Sequence, residues 1–342
     1  MGMTRRERVI AALQHKETDF TPYYMEYTAQ EEENLGKAFG KGFDQDWGYH
    51  LHVYQTWNWP ENTGMPNKDH FRDGFGVVWN RSGVDKDIGV IDNHVIDDIE
   101  TDADAYVFPP YDAARLRKEL KEFLSKKEDK FTVVGIGFSV FERAWSLCGM
   151  ENVFMAMIAA PDELKRLLNG IKEYNLKIMD SMLEFDFDAF YFGDDWGSQK
   201  GLMMGAAHWR EFIKPVMKEL YARAKRAGRY VFQHSCGDIE EILPDVIEIG
   251  LDCYQTFQPE IYDIAKIKQQ FGDKLTFWGG VSTQQLLAKA TPSEVQATAK
   301  KILDVMKPGG GYIFAPTHTV PHDVPPENIK ALYEVMSAKG IR

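Results

Sequence analysis

The feature that most restricts the fold of this chain is the alternation of short apolar stretches with amphipathic ones. Seven stretches are short and rich enough in β-branched and aromatic residues to be buried strands: TPYYMEYT (21–28), FTVVGIGFSV (131–140), AFYFGDD (189–195), YVFQHSCG (230–237), DCYQTF (252–257), LTFWGGV (275–281) and GYIFAPT (311–317). Apolar residues at helical spacing lie between most of them, at 161–185, 206–228 and 291–306. Strands that alternate with helices predict parallel βα units.

This alternation predicts an α/β fold, and the number of strands favours a (β/α)8 TIM-type barrel over an open doubly wound sheet. No G-x-G-x-x-G or Walker-type glycine loop follows an early strand, so the usual reason to choose the open sheet is missing. Residues 29–115 interrupt the alternation and are rich in Trp, Asn and Asp. We interpret residues 1–342 as one barrel domain, with 29–115 as a long insertion after the first strand that caps the barrel mouth.

Charge and composition narrow the possible partners. Acidic residues outnumber basic ones by 52 to 40, and no Lys/Arg block is interleaved with aromatic residues. Nucleic acid and anionic membranes are therefore poor partners, because binding them requires neutralising phosphates. No stretch approaches the roughly 20 apolar residues that span a bilayer, and the start MGMTRRERVIAALQ has the pattern of an amphipathic helix rather than a signal peptide. The three cysteines form no framework typical of secreted proteins, so we expect a cytoplasmic protein with reduced thiols.

Polar side chains gather where four of the predicted strands end. In chain order they are Glu142 and Arg143, Asp194 and Asp195, His234 and Cys236, and His318. In barrel enzymes the active site lies at the C-terminal ends of the strands. We therefore expect these side chains to converge on one mouth.

His234 and Cys236 are the strongest candidates for chemistry, because residues separated by one position point to the same side of an extended segment. Imidazole and thiolate are preferred zinc ligands, and a catalytic zinc needs only three protein ligands. We predict a zinc site made by His234, Cys236 and His318, with Glu142 as the alternative third ligand. The sequence leaves a structural interpretation open, in which Cys236 is a small buried residue and His234 a core histidine.

Two further groups of residues have more than one interpretation. Asp194 and Asp195 can cap a neighbouring helix, bind substrate or orient metal ligands. An aromatic cluster in the insertion suits either a packed lid or a surface for an aromatic substrate. Its members are Trp47, Tyr49, Tyr54, Trp57 and Trp59.

Six segments of the chain resemble the uroporphyrinogen decarboxylase superfamily, and they are spread over nearly the whole chain apart from the insertion. They are residues 4–22, 137–154, 193–204, 212–259, 278–287 and 310–329. The decarboxylases of this superfamily use no metal or cofactor and bind a polycarboxylate tetrapyrrole through arginines near the first strand. The corresponding segment here, TPYYMEYTAQEEE, has no arginine and contains Glu26 and three further acids, which would repel such a substrate. His318 does match the C-terminal histidine of that class.

The chain resembles a second class of the superfamily, the corrinoid-dependent methyltransferases, in its H-x-C pair. In the coenzyme M members of that class the third zinc ligand is a cysteine near the C-terminus, and here His318 takes its place. This departure implies either a zinc site with two histidines and one cysteine or a weakened or absent metal. It also points away from coenzyme M as the methyl acceptor and towards the O-demethylase components that act on methyl donors.

The resemblance therefore implies a methyltransferase that moves a methyl group from a methylated donor, such as a methoxylated aromatic, to the Co(I) centre of a separate corrinoid protein. A uroporphyrinogen decarboxylase or a related cofactor-free decarboxylase is the alternative, and a non-catalytic binding protein is a third hypothesis. For the methyltransferase we predict catalytic roles for Glu142 and Asp195. We predict substrate contacts for Glu26, Asp194 and Gln199.

Overall fold

The computed structural model describes residues 2–45, 47–56, 60–61, 69–83 and 89–337, and residues 60–61 by their backbone alone. Its strands are β1 (Leu51–Thr56), β2 (Pro60–Glu61), β3 (His70–Asp73), β4 (Val78–Asn80), β5 (Val90–Asn93), β6 (Phe131–Ile136), β7 (Ala189–Gly193), β8 (Gly197–Ser198), β9 (Gly201–Leu202), β10 (Tyr230–His234), β11 (Cys253–Thr256), β12 (Thr276–Val281) and β13 (Tyr312–Pro316). Its helices are α1 (Arg5–Leu13), α2 (Ala29–Phe39), α3 (Ile99–Asp102), α4 (Ala113–Ser125), α5 (Phe141–Cys148), α6 (Met150–Ala159), α7 (Pro161–Met182), α8 (Gly205–His208), α9 (Lys214–Arg226), α10 (Leu243–Glu248), α11 (Ile264–Phe271), α12 (Pro292–Met306) and α13 (Pro326–Met336).

Seven strands form one sheet in the order β1, β6, β7, β10, β11, β12, β13. The pairs β6–β7, β7–β10, β11–β12 and β12–β13 are parallel. Every residue of β6, β7, β11, β12 and β13 is buried, as expected for parallel strands covered by helices. The predicted α/β fold with alternating strands and helices is confirmed, and its strand order is consistent with a TIM-type barrel.

The first predicted strand, residues 21–28, forms only isolated bridges. Tyr23 pairs with Phe314, and Tyr27 pairs with Val320, both in parallel. On its other side, the carbonyl of Tyr23 accepts a hydrogen bond of 3.1 Å from the N–H of His50, the residue just before β1. The segment therefore lies beside β13 and next to the start of β1, where an eighth barrel strand would lie.

Part of the predicted insertion 29–115 belongs to the large sheet, because β1 is one of its strands. The sequence LHVYQT mixes apolar and polar residues, and only its two end residues are buried, so it lacks the continuous apolar run of the other strands. The remainder includes α2, α3, the first three residues of α4 and a small antiparallel sheet in the order β2, β3, β4, β5. The capping of a barrel mouth by 29–115 stays a prediction.

The chain divides into two compact units. The first contains Met1–His52, Lys127–Thr132 and Asp252–Arg342, and the second contains Val53–Lys126 and Val133–Leu251. Each has its own apolar core: Phe277, Ile313 and Leu332 are fully buried in the first, and Phe190, Trp209 and Val231 in the second. Among the helices that the structure describes, none is long and apolar enough to cross a bilayer.

Candidate functional site

The end of β10 brings the predicted ligand pair together. His234 is the last residue of the strand and Cys236 follows two positions later, in the loop. The Nε2 atom of His234 lies 3.6 Å from the Sγ atom of Cys236. A tetrahedral zinc with Zn–N of about 2.0–2.1 Å and Zn–S of about 2.3 Å holds its two ligand atoms about 3.6 Å apart. The pair is therefore spaced as two ligands of one metal ion.

The loop after Cys236 is held by a close approach of two glycines. Gly237 has a φ of +76°, and a Cβ atom at this position would lie 2.2 Å from the carbonyl carbon of Gly197 on β8. The neighbouring N–H of Asp238 donates a hydrogen bond of 2.8 Å to the carbonyl of Ser198. Only glycine satisfies both the left-handed conformation and this approach. The contact fixes the backbone that carries Cys236.

Two side chains of the β7 segment contact the pair. Asp195 accepts a hydrogen bond of 2.7 Å from the backbone N–H of Cys236, and the same Oδ1 atom lies 3.4 Å from Nε2 of His234. Tyr191 lies on the other side of the imidazole, with its hydroxyl oxygen 3.3 Å from Nδ1. The ring and the thiol are thus held by neighbouring side chains and by the loop backbone.

Burial acts on the ionisation of both groups. It raises the pKa of the Cys236 thiol above its ordinary value, although the neighbouring His234 imidazole acts in the opposite direction. Burial by itself lowers the pKa of His234, but Tyr191, Cys236 and Asp195 outweigh it, so that pKa lies well above its ordinary value. A metal binds the thiolate and an unprotonated imidazole nitrogen, so metal binding would release protons from the pair.

Asp194 is fully buried and its carboxylate holds the start of α5. It accepts hydrogen bonds from the backbone N–H groups of Val140 (3.1 Å), Phe141 (3.0 Å) and Glu142 (2.9 Å). The indole N–H of Trp196 donates a fourth, of 2.6 Å. The carboxylate thereby pairs backbone N–H groups that the start of a helix leaves without a partner. Helix capping, one of the alternatives for this residue, is what the geometry supports, and its predicted substrate contact stays a prediction.

Glu142 lies in the first turn of α5, next to this capped backbone. Burial raises the pKa of its carboxyl well above the ordinary value, and the nearby carboxylates of Asp195 and Asp194 raise it further. A raised pKa favours the protonated form of a carboxyl, and that form can act as a general acid. The catalytic roles of Glu142 and Asp195 remain predictions.

Arg143 was expected at the same mouth as Glu142, but its side chain is fully buried and makes an ion pair instead. Its Nη1 atom lies 3.3 Å from Oδ2 of Asp73 at the end of β3, and its guanidinium carbon lies 3.9 Å from the ring centroid of Phe75. Consecutive helical residues point about 100° apart, so Glu142 and Arg143 face different surroundings.

Three other predicted residues are exposed. Glu26 lies in the 21–28 segment, Gln199 between β8 and β9, and His318 two residues after the end of β13. The backbone carbonyl of Glu26 accepts a hydrogen bond of 2.7 Å from the N–H of Val320. The predicted substrate contacts of Glu26 and Gln199 stay predictions, as does metal binding by His318.

The aromatic cluster is packed where it is described. Trp47 stacks on Tyr333 with ring centroids 4.2 Å apart, and the hydroxyl of Tyr49 lies 2.6 Å from that of Tyr27. The hydroxyl of Tyr54 donates a hydrogen bond of 2.9 Å to Glu119. Trp57 and Trp59 lie outside the described residues. The geometry supports the packing interpretation for the three described members.

The fold and the strand-end site define a class of α/β enzymes with a mostly parallel sheet and polar residues after the carboxyl ends of its strands. Within that class the sequence matches one family. Residues 84–338 match the model of the family described as uroporphyrinogen decarboxylase (URO-D), and the chain belongs to this family.

Individual relatives fall into both functional classes of the superfamily. The chain is 27% identical over 233 residues to the uroporphyrinogen decarboxylase of Chlorobaculum tepidum, with 64% of each protein covered. It therefore spans less than two thirds of that relative's length. It is 21% identical over 213 residues to a methylated-thiol–coenzyme M methyltransferase of Methanosarcina mazei, covering 62% of this chain and 54% of the relative. The structure of a methyltransferase from Methanosarcina mazei shares the fold, with a TM-score of 0.75, 19% identity and coverage of 98% and 99% of the two chains.

Proposed function

We propose that this protein is a methyltransferase that moves a methyl group from a methylated small molecule, of the methoxylated aromatic class, to the Co(I) centre of a separate corrinoid protein. The observation that carries the proposal is the 3.6 Å distance between Nε2 of His234 and Sγ of Cys236. A cofactor-free decarboxylase has no need for an imidazole and a thiol placed as two ligands of one metal.

We propose His318 as the third zinc ligand. In support, His318 comes just after the carboxyl end of β13, as Cys236 comes just after that of β10, and imidazole is a preferred zinc ligand. Two imidazoles and one thiolate complete the three protein ligands of a catalytic zinc and leave a position open for substrate. A site with a single thiolate carries more positive charge than one with two, which favours binding a donor oxygen over activating a thiol.

When bound, the zinc supplies a Lewis acid that polarises the donor heteroatom. In the proposed reaction the methyl–oxygen bond breaks, Co(I) supplies the electron pair of the new methyl–cobalt bond, and the oxygen keeps the old pair. Glu142 gives that oxygen a proton, because burial and the neighbouring carboxylates raise its pKa and so favour its protonated form. Asp195 acts by holding the Cys236 backbone through its 2.7 Å hydrogen bond. Glu26, Asp194 and Gln199 remain our candidates for substrate positioning.

The first experiment is the zinc content of purified wild type, His234→Ala and His208→Ala. His208 is a matched control, because it is a partly buried histidine of the same compact unit whose Nδ1 atom lies 3.1 Å from the carbonyl of Met204. We expect near-stoichiometric zinc in wild type and His208→Ala and none in His234→Ala. Methyl transfer from a methoxylated benzoate to Co(I) cobalamin, followed by absorbance, should be lost in the same variant. Absence of zinc from the wild type would overturn the metal assignment.

A second candidate function is uroporphyrinogen decarboxylation, since several relatives carry that name, including that of Chlorobaculum tepidum. The segment 21–33 contains no arginine to bind the substrate's carboxylates, so we expect no turnover of uroporphyrinogen. Turnover that survives both chelation and His234→Ala would instead establish the decarboxylase.

A further inference from the structure

The two ring nitrogens of His234 have different surroundings. Nε2 is the atom spaced for a shared metal with Cys236, whereas Nδ1 lies 3.3 Å from the hydroxyl oxygen of Tyr191. A histidine binds a metal through a nitrogen that carries no proton, and the hydrogen bond of the other nitrogen decides which one that is. The hydrogen-bond partner of Nδ1 therefore determines whether Nε2 is free of its proton and can bind a metal.

The sheet register places Tyr191 for this contact. His234 lies opposite Gly193 on β7, and Phe232 lies opposite Tyr191. Side chains two residues apart along a strand share a face, so the Tyr191 and His234 side chains lie on the same face of the sheet. Tyr191 itself is only 5% exposed.

A metal bound through Nε2 requires the tautomer of His234 with its proton on Nδ1, and Asp195 disfavours that tautomer. Its Oδ1 atom lies 3.4 Å from Nε2, and a carboxylate there favours a proton on that nitrogen. The same oxygen already accepts the N–H of Cys236 at 2.7 Å, which weakens its hold on the imidazole. A competing acceptor at Nδ1 is therefore required to keep Nε2 free of its proton.

We propose that Tyr191 is a positioning residue of the metal site: its oxygen accepts a hydrogen bond from Nδ1–H of His234 and so leaves Nε2 unprotonated and directed at the metal. This inference rests on the proposed function, in which His234 and Cys236 bind zinc. Outer partners of metal-bound histidines typically contribute 10–100-fold to metal affinity.

The test compares the zinc affinity of wild type, Tyr191→Phe and Tyr221→Phe by competition with a chromophoric chelator. Tyr221 is a matched control, because it is also buried and donates a hydrogen bond of 2.6 Å to Gln233, the residue before His234. We expect affinity to fall by about 10–100-fold in Tyr191→Phe and to stay unchanged in Tyr221→Phe. The thiolate-to-cobalt absorption band should persist in Tyr191→Phe at saturating Co²⁺, because Cys236 still binds.

The outcomes separate this inference from the proposed function. A wild type that binds no zinc overturns the proposed function before any variant is considered. A wild type and Tyr191→Phe of equal affinity overturn the role of Tyr191 and leave the metal site standing.

A second measurement uses only the wild type, so it remains informative if Tyr191→Phe does not fold. Long-range ¹H–¹⁵N spectra of the zinc-loaded wild type should show His234 with a proton on Nδ1 and the metal on Nε2. A protonated Nε2 with the metal on Nδ1 contradicts the proposal.

Discussion

The buried ion pair between Asp73 and Arg143 provides a quantitative test of how this chain is held together. Asp73 is 3% exposed and Arg143 is 1% exposed. The Oδ1 atom of Asp73 accepts the backbone N–H groups of Phe75 (2.9 Å) and Val77 (3.1 Å). The Oδ2 atom accepts the indole N–H of Trp79 (3.0 Å) and faces Nη1 of Arg143 (3.3 Å). Asp73→Asn can therefore keep the turn and remove only the charge and the two contacts of Oδ2.

Breaking a buried pair from one side typically costs about 3–5 kcal/mol, because the other charge is left without its counterion. At about 2.1 cal/mol/K per residue, unfolding a chain of 342 residues has an entropy of about 0.7 kcal/mol/K, so the loss lowers Tm by about 4–7 °C. The contact between the guanidinium and the ring of Phe75 remains in this variant and is worth about 0.5–2 kcal/mol, so we expect a loss in the lower half of that range.

The assay is thermal unfolding of wild type, Asp73→Asn, Arg143→Met and the double variant. Replacing both members of a buried pair by neutral residues is often nearly neutral. We therefore expect the double variant to lose less stability than the sum of the two single variants, by about 2 kcal/mol or more. Strictly additive losses would show that the two charges do not stabilise each other and would refute the reasoning.

Two more predictions test the loop after β10 and a buried acid of α2. Gly237→Ala should lose zinc and cost more than about 3 kcal/mol, because its Cβ meets the backbone of Gly197. Gly205→Ala is the control, because Gly205 has a similar φ of +70° but open space around an added Cβ. We expect this variant to lose only about 1–2 kcal/mol of stability and to keep zinc. Equal losses of stability in the two variants would contradict the close contact between Gly237 and Gly197. Burial raises the pKa of Glu31 to about 7, so its contribution to stability is present below its unfolded pKa and lost as pH rises through about 7. Wild type should therefore lose Tm relative to Glu31→Gln between pH 4.5 and 7, and parallel curves would argue against this titration.

The strands that the sequence predicts correctly are buried differently from β1, which the sequence does not predict. β6, β7, β11, β12 and β13 are buried at every residue, so they read as continuous apolar runs. β1 has four half-buried residues between buried ends, and its sequence alone places it in the insertion. A half-buried strand of mixed polarity is hard to distinguish from an irregular polar segment by its sequence alone.

The amino-acid sequence by itself determined the alternation of strands and helices and the pairing of His234 with Cys236, because both follow from local periodicity along the chain. The tertiary structure alone decided which side chains meet across strands. Tyr191 reaches the imidazole only through the register of β7 against β10, and Arg143 leaves the strand-end cluster only because Asp73 offers it a buried anion. Such contacts join residues distant in the chain, and no local pattern encodes the register or the facing charge that produces them.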